Sequence, residues 1–513
     1  MIRKILTKRH YRQLSILLLT TLVVGCAVKL QPISNQEILD VALTDQQLIY
    51  DSQEPIDQPL SLSQAMARSL KYNLENRVTL VEEALSNRSL DLVKTDMLPQ
   101  LAASAGYLDR SNVDASRSVS VLSGQESLEP STSQDRQRNN ADIRFTWNLL
   151  DFGVNYLQAQ QDADRFLVTQ STRKKTMLRL LDQVRFSYWR AVAMQSMSDQ
   201  LQLVSSRVNT TLLNLEQTRA EQLRTPIAVL NDIRTLLETQ QQLERVRQSI
   251  NQAQVQLSTL VNMPPSSEIQ VVTPSLLTPP ITVTDDMEEL EMYALSHSSE
   301  YTTQMYNVRI DQLESRKGLM RLFPGLEFSY GENYNSNSFL WNDQWGEAGI
   351  RITGDITQLI YSGRIKAYGK VKEQLAQTRR LAINMAVVAN VHLTWQDYNN
   401  ALRSLDYARL LSDIDQEISQ LTANAATSRA GSESEAIQNE LRAFRSEMER
   451  MLSYAEMQGA YGSLMVSLGF DPVPENYQTM TVDELANYLE QQFQQWAEEV
   501  AVVDVERSDA KAG

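Results

Sequence analysis

The sequence predicts a mainly α protein with a small β part, built from two tandem repeats of long coiled-coil helices and β-hairpins. The chain has 513 residues but only 17 glycines and 14 prolines, so long segments contain no helix breaker. Short segments in which apolar and polar residues alternate interrupt the helical segments and indicate strands. The same order of elements occurs twice, which indicates an internal duplication.

The N-terminal segment predicts a signal peptide over residues 1–25. Five basic residues within positions 3–12 precede an apolar run over residues 14–24. This run is too short to span a bilayer comfortably. Residues 23–26, Val-Val-Gly-Cys, resemble the lipobox of bacterial lipoproteins, which implies cleavage before Cys26 and acylation of its sulfur. Ala27, in place of aspartate, implies sorting to the outer membrane. A signal peptide with an incidental cysteine is the alternative, although Cys26 is the only cysteine in the chain.

The first predicted repeat spans residues 60–263 and follows a lipid-anchored linker over residues 26–59. Residues 154–225 contain no glycine or proline, and a helix of these 72 residues would reach about 100 Å. Residues seven apart between Leu236 and Leu260 predict a coiled-coil seam. The predicted elements are, in order, a helix over 60–97, strands over 101–112 and 141–147, a long helix over 154–225 and a helix over 226–263.

The second predicted repeat spans residues 287–472 and follows a proline-rich linker over residues 264–286. Residues 370–430 again contain no glycine or proline, and Gly431 marks the next break. The C-terminal acidic tail over residues 473–513 has no predicted role. The predicted elements are, in order, a helix over 287–322, strands over 326–330 and 348–352, a long helix that Ser362-Gly363 opens and that continues through 370–430, and a helix that ends at 468.

The four predicted strands are amphipathic, but four strands cannot close a membrane barrel, which needs about eight or more. Open strand edges cannot face lipid, so strands that enter a membrane require several chains, and three chains would supply twelve strands. Soluble hairpins packed on the helices are the alternative. The residues expected to face lipid are Phe145, Trp147, Phe328 and Tyr330, and those expected to face water are Asp142, Arg144, Glu327 and Arg351.

Several motifs, taken in order over residues 60–472, resemble the TolC-like outer-membrane factor family, here of the lipoprotein type. The motifs are Leu60-Ser-Leu-Ser-Gln-Ala, Met97-Leu-Pro-Gln-Leu and Trp147-Asn-Leu-Leu-Asp-Phe-Gly in the first repeat, and Leu359-Ile-Tyr-Ser-Gly-Arg and Leu468-Gly-Phe-Asp-Pro in the second. The resemblance implies a homotrimer with an α-barrel continuous with a 12-stranded transmembrane β-barrel. It also implies an outer-membrane channel in a tripartite efflux or type I secretion system. The implied partners are outer-membrane lipid, a periplasmic adaptor (membrane fusion protein) and an inner-membrane transporter.

The resemblance further implies that an adaptor docks where each long helix turns into the next helix. Gly431 retains the family's glycine at this tip, whereas Gln222 departs from it. In relatives, acidic residues six and nine positions after the glycine close the duct; here these positions hold Ile437 and Glu440, with Glu435 nearby. Three Glu440 carboxylates on a narrow axis would repel each other and attract cations, although a solvated glutamate is the alternative. The implied tip residues are Gln222, Leu223, Thr225, Pro226, Arg429, Ala430, Gly431 and Ser432.

The remaining composition argues against other functions. A net charge of -15 disfavours nucleic-acid binding, which needs clustered lysine and arginine. The three histidines, His10, His297 and His392, show no metal-ligand spacing, and we expect no metal, no cofactor and no catalysis. A periplasmic coiled-coil adaptor or scaffold lipoprotein without a pore, and a lipid-tethered hydrolase, remain as alternatives. The exported substrate, whether drug, protein or polysaccharide, stays open.

Overall fold

The computed structural model describes residues 31–51, 53–127, 129–221, 225–274, 283, 286–428 and 433–511, without the side chains at 358–359, 433–434 and 499–511. The chain divides into two compact units, Met1–Gln53 and Glu54–Gly513. The first unit contains helix α1 (Asn35–Tyr50), which is capped by the Ser34 hydroxyl and has no buried residue. A helix therefore occupies part of the segment predicted to be a linker.

The first repeat has the predicted order of helix, hairpin, long helix and helix. Its elements are α2 (Leu62–Tyr72), α3 (Leu74–Thr95), β1 (Gln100–Asp109), β2 (Ala115–Ser116), β3 (Ser131–Thr132), β4 (Gln137–Asn148), α4 (Leu149–Ala220) and α5 (Pro226–Leu260). Asn148 caps α4 by accepting hydrogen bonds from the amides of Leu150 and Asp151. Pro226 opens α5, where its missing N–H costs no helical hydrogen bond.

The second repeat follows the same order. Its elements are α6 (Met287–His297), α7 (Ser299–Met320), β5 (Gly325–Asn335), β6 (Gln344–Thr353), α8 (Ile356–Ile360), α9 (Ser362–Thr427) and α10 (Glu433–Leu468). α9 begins at Ser362, as the Ser362-Gly363 pair predicts, and Gly363 and Gly369 both lie inside the helix. Gly369 is buried, and a Cβ there would lie 3.3 Å from Ser315 Oγ, so the glycine lets α9 approach α7 closely.

Each repeat contains one helix break that the sequence analysis missed. Asn73 ends α2 and caps α3, and Ser298 ends α6 and caps α7. The predictions of single helices over 60–97 and 287–322 were therefore wrong at these two residues. Asparagine and serine interrupt a helix by bonding to the free amides of the next one, without any glycine or proline.

The two hairpins form one antiparallel sheet in the order β1-β4-β5-β6. Asp142 lies opposite Asn333 on β5, and Phe145 lies opposite Tyr330, so β4 joins the first repeat to the second. β1 and β6 each have a neighbouring strand on one side only within the described chain. The helices that adjoin strands, α3, α4, α7 and α8, all meet the sheet at one end, and the β1–β4 and β5–β6 loops lie at the other end.

The long helices α4 and α9 take part in two rows of four helices. In the half next to the sheet, α3 packs on α4, α4 on α7, and α7 on α9. In the half away from the sheet, α5 packs on α4, α4 on α10, and α10 on α9. In both rows, α4 lies between two helices, whereas α9 is at the end of each row.

The residues predicted as an acidic tail form helix α11 (Val482–Lys511), which packs on α2. Leu485 and Leu489 are buried in one core with Leu70 of α2 and Leu181 of α4. Gln64 Nε2 donates to Asp483 Oδ1 at 3.0 Å, which adds a polar contact between α2 and α11. The hydrophobic effect explains why this acidic segment is ordered on the protein, since its apolar face is buried in the core.

Candidate functional site

The helix turn in the first repeat exposes part of its predicted tip. Thr225 and Pro226 are exposed, and so is Ile227, the next residue of α5. The Thr225 hydroxyl makes no capping hydrogen bond to the amides at the start of α5. The predicted tip residues Gln222, Leu223, Arg429, Ala430, Gly431 and Ser432 lie outside the described residues.

The three gate candidates have different environments near the start of α10. Glu435 is exposed, whereas the Ile437 side chain is only 1% exposed and packs in the core between α4, α5 and α10. Glu440 Oε2 accepts a hydrogen bond from Arg207 Nη1 of α4 at 2.6 Å. Glu440 thus holds the start of α10 to α4, and the burial of Ile437 keeps its side chain away from any open surface of this chain.

The strand register separates the sheet into an apolar and a polar face, because directly opposed residues share a face. Trp147 lies opposite Phe328, which lies opposite Ile350, and Phe145 lies opposite Tyr330. The other face carries the residues that the sequence analysis expected to face water: Asp142, Arg144, Glu327 and Arg351. One exception is Glu332, which lies on the apolar face, where its carboxylate accepts from the Tyr330 hydroxyl.

A buried carboxylate that sequence reasoning missed lies between α4 and α10. Asp182 Oδ2 accepts from Ser463 Oγ at 3.0 Å, while Oδ1 is buried without a hydrogen-bond partner among the described residues. A Cβ on Gly462 would overlap Oδ1, so this glycine allows the two helices to approach. Burial raises the pKa of Asp182 to about 6, although the Ser463 hydrogen bond and the charge of Arg185 both oppose the shift.

A cavity of about 300 Å³ adjoins Asp182 and is lined mainly by polar side chains. Lys175 and Glu300, both on its wall, form an ion pair between α4 and α7, and Arg179 adds a second positive charge. The hydroxyl groups on its wall belong to Ser298, Ser299, Thr394, Ser463 and Ser467. Polar walls of this kind hold water more readily than an apolar ligand.

The two histidines in the described ranges have local partners. His392 Nε2 lies 2.7 Å from Glu291 Oε1, and His297 Nδ1 lies 2.9 Å from the Tyr293 carbonyl oxygen. Across residues 31–511, as far as the structure describes them, no group of three histidine, cysteine, aspartate or glutamate side chains could hold a metal ion. The helices in this same part of the chain contain no stretch that is long and apolar enough to cross a bilayer.

Solved structures resemble the fold, although no protein-family model and no curated protein matches the chain. The outer membrane channel CmeC of Campylobacter jejuni gives a TM-score of 0.63 at 9% identity, over 86% of this chain and 94% of CmeC. The outer membrane channel MtrE of Neisseria gonorrhoeae, in its open state, gives 0.60 at 16% identity, over 80% and 88%. The outer membrane protein VceC of Vibrio cholerae gives 0.60 at 11% identity, over 80% and 96%. The chain therefore has the TolC-like fold of these outer-membrane proteins.

Proposed function

We propose that the chain is the outer-membrane channel component of a tripartite efflux or type I secretion system, and that three copies form one duct. The observation that carries this proposal is that a chain with this fold leaves surfaces on both of its sides without a packing partner in the part that the structure describes. The sheet ends in two open strands, and α9 carries exposed apolar residues along its length. A second copy on each side would cover both features.

The open strands β1 and β6 supply the first part of the argument. Their unpaired N–H and C=O groups would be costly in lipid, because no water is present to bond them. Pairing β6 of one copy with β1 of the next removes every edge when the ring closes. Three copies with four strands each give a barrel of twelve strands, with the apolar face outward and the polar face inward.

Helix α9 supplies the second part. Tyr407, Leu411, Ile414 and Leu421 are exposed, although they follow the spacing of four and three residues that is typical of a coiled-coil seam. Burial of such side chains stabilises an assembly by about 25 cal/mol per Å² of apolar surface. Since this part of α9 lies at the end of the row away from the sheet, its seam fits the helix at the opposite end of that row in a neighbouring copy, which is α5.

The anchoring and docking sites are part of the same proposal. Acylation at Cys26 would tether the chain to outer-membrane lipid after removal of residues 1–25, with the repeats at 60–263 and 287–472 forming the duct. The exposed residues Thr225 and Pro226, together with Gln222, Leu223 and residues 429–432, would contact a periplasmic adaptor that links the duct to an inner-membrane transporter. The exported substrate is not specified by these features.

The pore itself can be tested with purified full-length protein in planar lipid bilayers. We expect discrete conductance steps and an oligomer in SDS that dissociates into monomer on heating. Outer-membrane fractionation should recover the protein from cells. A monomer without conductance, recovered free of the outer membrane or as a peripheral lipoprotein, would instead support an adaptor or scaffold without a pore.

We propose Glu440 as the gate residue, with Glu435 beside it and Ile437 as the buried residue that positions this turn of α10. The support is the Arg207–Glu440 ion pair, which joins α4 to α10 close to the predicted tip. Glu440→Gln removes the negative charge and with it the ion pair, so it should raise single-channel conductance and weaken block by divalent cations.

The control for the gate experiment is Glu456→Gln, which removes an exposed carboxylate farther along α10. It should leave conductance and cation block unchanged. If Glu440→Gln behaves like this control, Glu440 is not the gate, and the pore assignment is unaffected.

A further inference from the structure

The end of the sheet opposite the helices carries two loops of different length. The longer one, here called the ribbon (residues 110–127 and 129–136), continues the β1–β4 hairpin through the β2–β3 ladder and a bridge between Val119 and Glu126. Gly124 adopts a φ of +64° at its tip. The shorter one, here called the turn (residues 336–343), joins β5 to β6.

Hydrogen bonds join the turn to the β4 side of the ribbon. Asn337 Oδ1 accepts from the Asp135 amide at 2.9 Å, and Asn337 Nδ2 donates to the Ser133 carbonyl at 3.0 Å. Ser338 Oγ donates to Asp135 Oδ1 at 3.0 Å. Asn337 is buried, although it lies in a loop. Several bonds between residues about 200 positions apart fix the turn as a rigid platform.

This rigid platform presents large apolar side chains to solvent. Trp341 is 99% exposed, and Phe339 beside it is more than half exposed. On the ribbon, Val113 and Val119 are also exposed. Apolar side chains held in fixed positions on a surface indicate an interface, and tryptophan is enriched among residues that dominate binding energy.

The strand order determines which loops can meet. The β1 side of the ribbon and the β6 side of the turn lie at opposite edges of the sheet, about 14 Å apart at 4.8 Å per strand. If β6 pairs with β1 of a neighbouring copy, these two edges become adjacent. We propose that the turn, through Trp341 and Phe339, packs on the neighbouring copy's ribbon at Val113 and Val119. This inference rests on the proposed ring.

Charge favours a second copy over lipid as the occupant. The ribbon has three arginines, and each is ion-paired within the chain: Arg110 with Asp114, Arg117 with Glu126 and Arg136 with Asp109. Surfaces that bind lipid headgroups usually offer unpaired lysine or arginine to the phosphates. A contact in which one patch meets a different patch on the next copy is also the kind that a ring of identical copies requires.

A disulfide experiment tests this contact in the full-length protein extracted from membranes. The double variant Val113→Cys with Trp341→Cys should give covalent dimers and trimers in non-reducing SDS gels after heating. Within one copy the two positions are too far apart for a disulfide, whose Cα atoms lie less than about 7 Å apart. Each single variant is a control that detects any disulfide through Cys26. A second pairing, Val119→Cys with Trp341→Cys, allows for a different register of the loops.

Unheated samples separate the two proposals. An SDS-resistant oligomer without any covalent species in either double variant would overturn the loop contact and leave the duct intact. Absence of the oligomer in the unmodified protein would instead overturn the proposed ring. In addition, Trp341→Ala should lower the temperature at which the oligomer dissociates, whereas the matched control Val121→Ala, at the ribbon tip, should not. If strong quenching of the protein by brominated lipid is lost in Trp341→Ala, the occupant is lipid and the proposal is wrong.

Discussion

The equivalent long helices of the two repeats, α4 and α9, have opposite surroundings. α4 has 22 buried residues among 72, whereas α9 has seven among 66. α9 instead carries eleven large apolar side chains that are exposed, and α4 carries five. The two helices have similar lengths, but α4 is packed between two helices of its own chain, whereas α9 leaves many apolar side chains exposed. The difference follows from their places in the helix rows and not from their composition.

The largest expected effect comes from placing a charge in the exposed seam of α9. Ile414→Glu should abolish the SDS-resistant oligomer, because an unpaired charge in a packed interface costs about 3–5 kcal/mol per copy. The monomer should keep its helical circular dichroism, since Ile414 is exposed in a single chain. Arg409→Glu, at an exposed position outside the seam, is the control and should still assemble. Normal assembly of Ile414→Glu would show that α9 is not an interface.

Truncating one leucine in each of the two helices sharpens the comparison within a monomer. Leu181→Ala on α4 removes a buried side chain and should lower the free energy of unfolding by about 2–5 kcal/mol. Leu393→Ala on α9 removes an exposed one and should change it by less than about 0.5 kcal/mol. Chemical denaturation of monomer in detergent measures both values. Equal losses would mean that α9 is already packed in the single chain.

A buried charge also distinguishes α4. Because burial raises the pKa of Asp182 to about 6, the folded protein binds this proton more tightly than the unfolded chain does. The contribution of this bound proton to the free energy of unfolding is fully present below pH 4 and is lost as the pH rises through 6. Asp182→Asn should therefore raise the free energy of unfolding by about 1–3 kcal/mol at pH 7.5, with little difference near pH 4.

The groups that face Asp182 define the controls for this pH dependence. They are Arg185 and Arg179 on α4, the Lys175–Glu300 pair between α4 and α7, Ser463 on α10, and the uncharged Asn390 and Thr394 on α9. Asp199→Asn, at an exposed position of the same helix, should not change the pH profile. If the free energy of unfolding of Asp182→Asn varies with pH in the same way as that of the unmodified protein, Asp182 is not the titrating group.

The smallest expected effect concerns the helix caps, where the two repeats should behave alike. Asn73→Ala and Ser298→Ala each remove a side chain that bonds to the first amides of the next helix. Each should lower the free energy of unfolding by about 1 kcal/mol. Thermal denaturation of the two variants side by side checks this. A loss confined to one variant would mean that the duplicated breaks have different structural roles.

The sequence was sufficient to predict the order of elements, because that order depends on local signals. Absence of glycine and proline predicts α4, and alternation from Ala141 to Trp147 predicts β4. The breaks at Asn73 and Ser298 were missed, since asparagine and serine also occur away from helix ends, and neither residue by itself marks a break. Helix α11 was also missed, because its stability depends on burial against α2, and no local pattern reveals such a partner.

The candidate site was predicted less completely for the same reason. Glu440 was chosen by its distance from Gly431, but its ion pair with Arg207 spans 233 positions in the chain. In the sequence, nothing distinguishes Asp182 from a solvated acidic residue. Its burial depends on packing against Gly462 and Ser463 of α10. The hydrogen bond between Asp135 and Asn337 joins loops of different repeats. Long-range contacts of this kind arise from packing, which a residue pattern within one window does not contain.

The contact of α2 with α11 constrains the order in which the molecule can fold. Gln64 Nε2 of α2 donates to Asp483 Oδ1 of α11 at 3.0 Å, across 419 positions in the chain. Contacts between distant residues form slowly, whereas adjacent helices pair early. The pairs α4–α5 and α9–α10 can therefore form while synthesis continues, but the core at α2 must wait for residues 477–489. A chain halted before that point would leave the apolar face of α2 without α11, so this core is among the last parts of the fold to be completed.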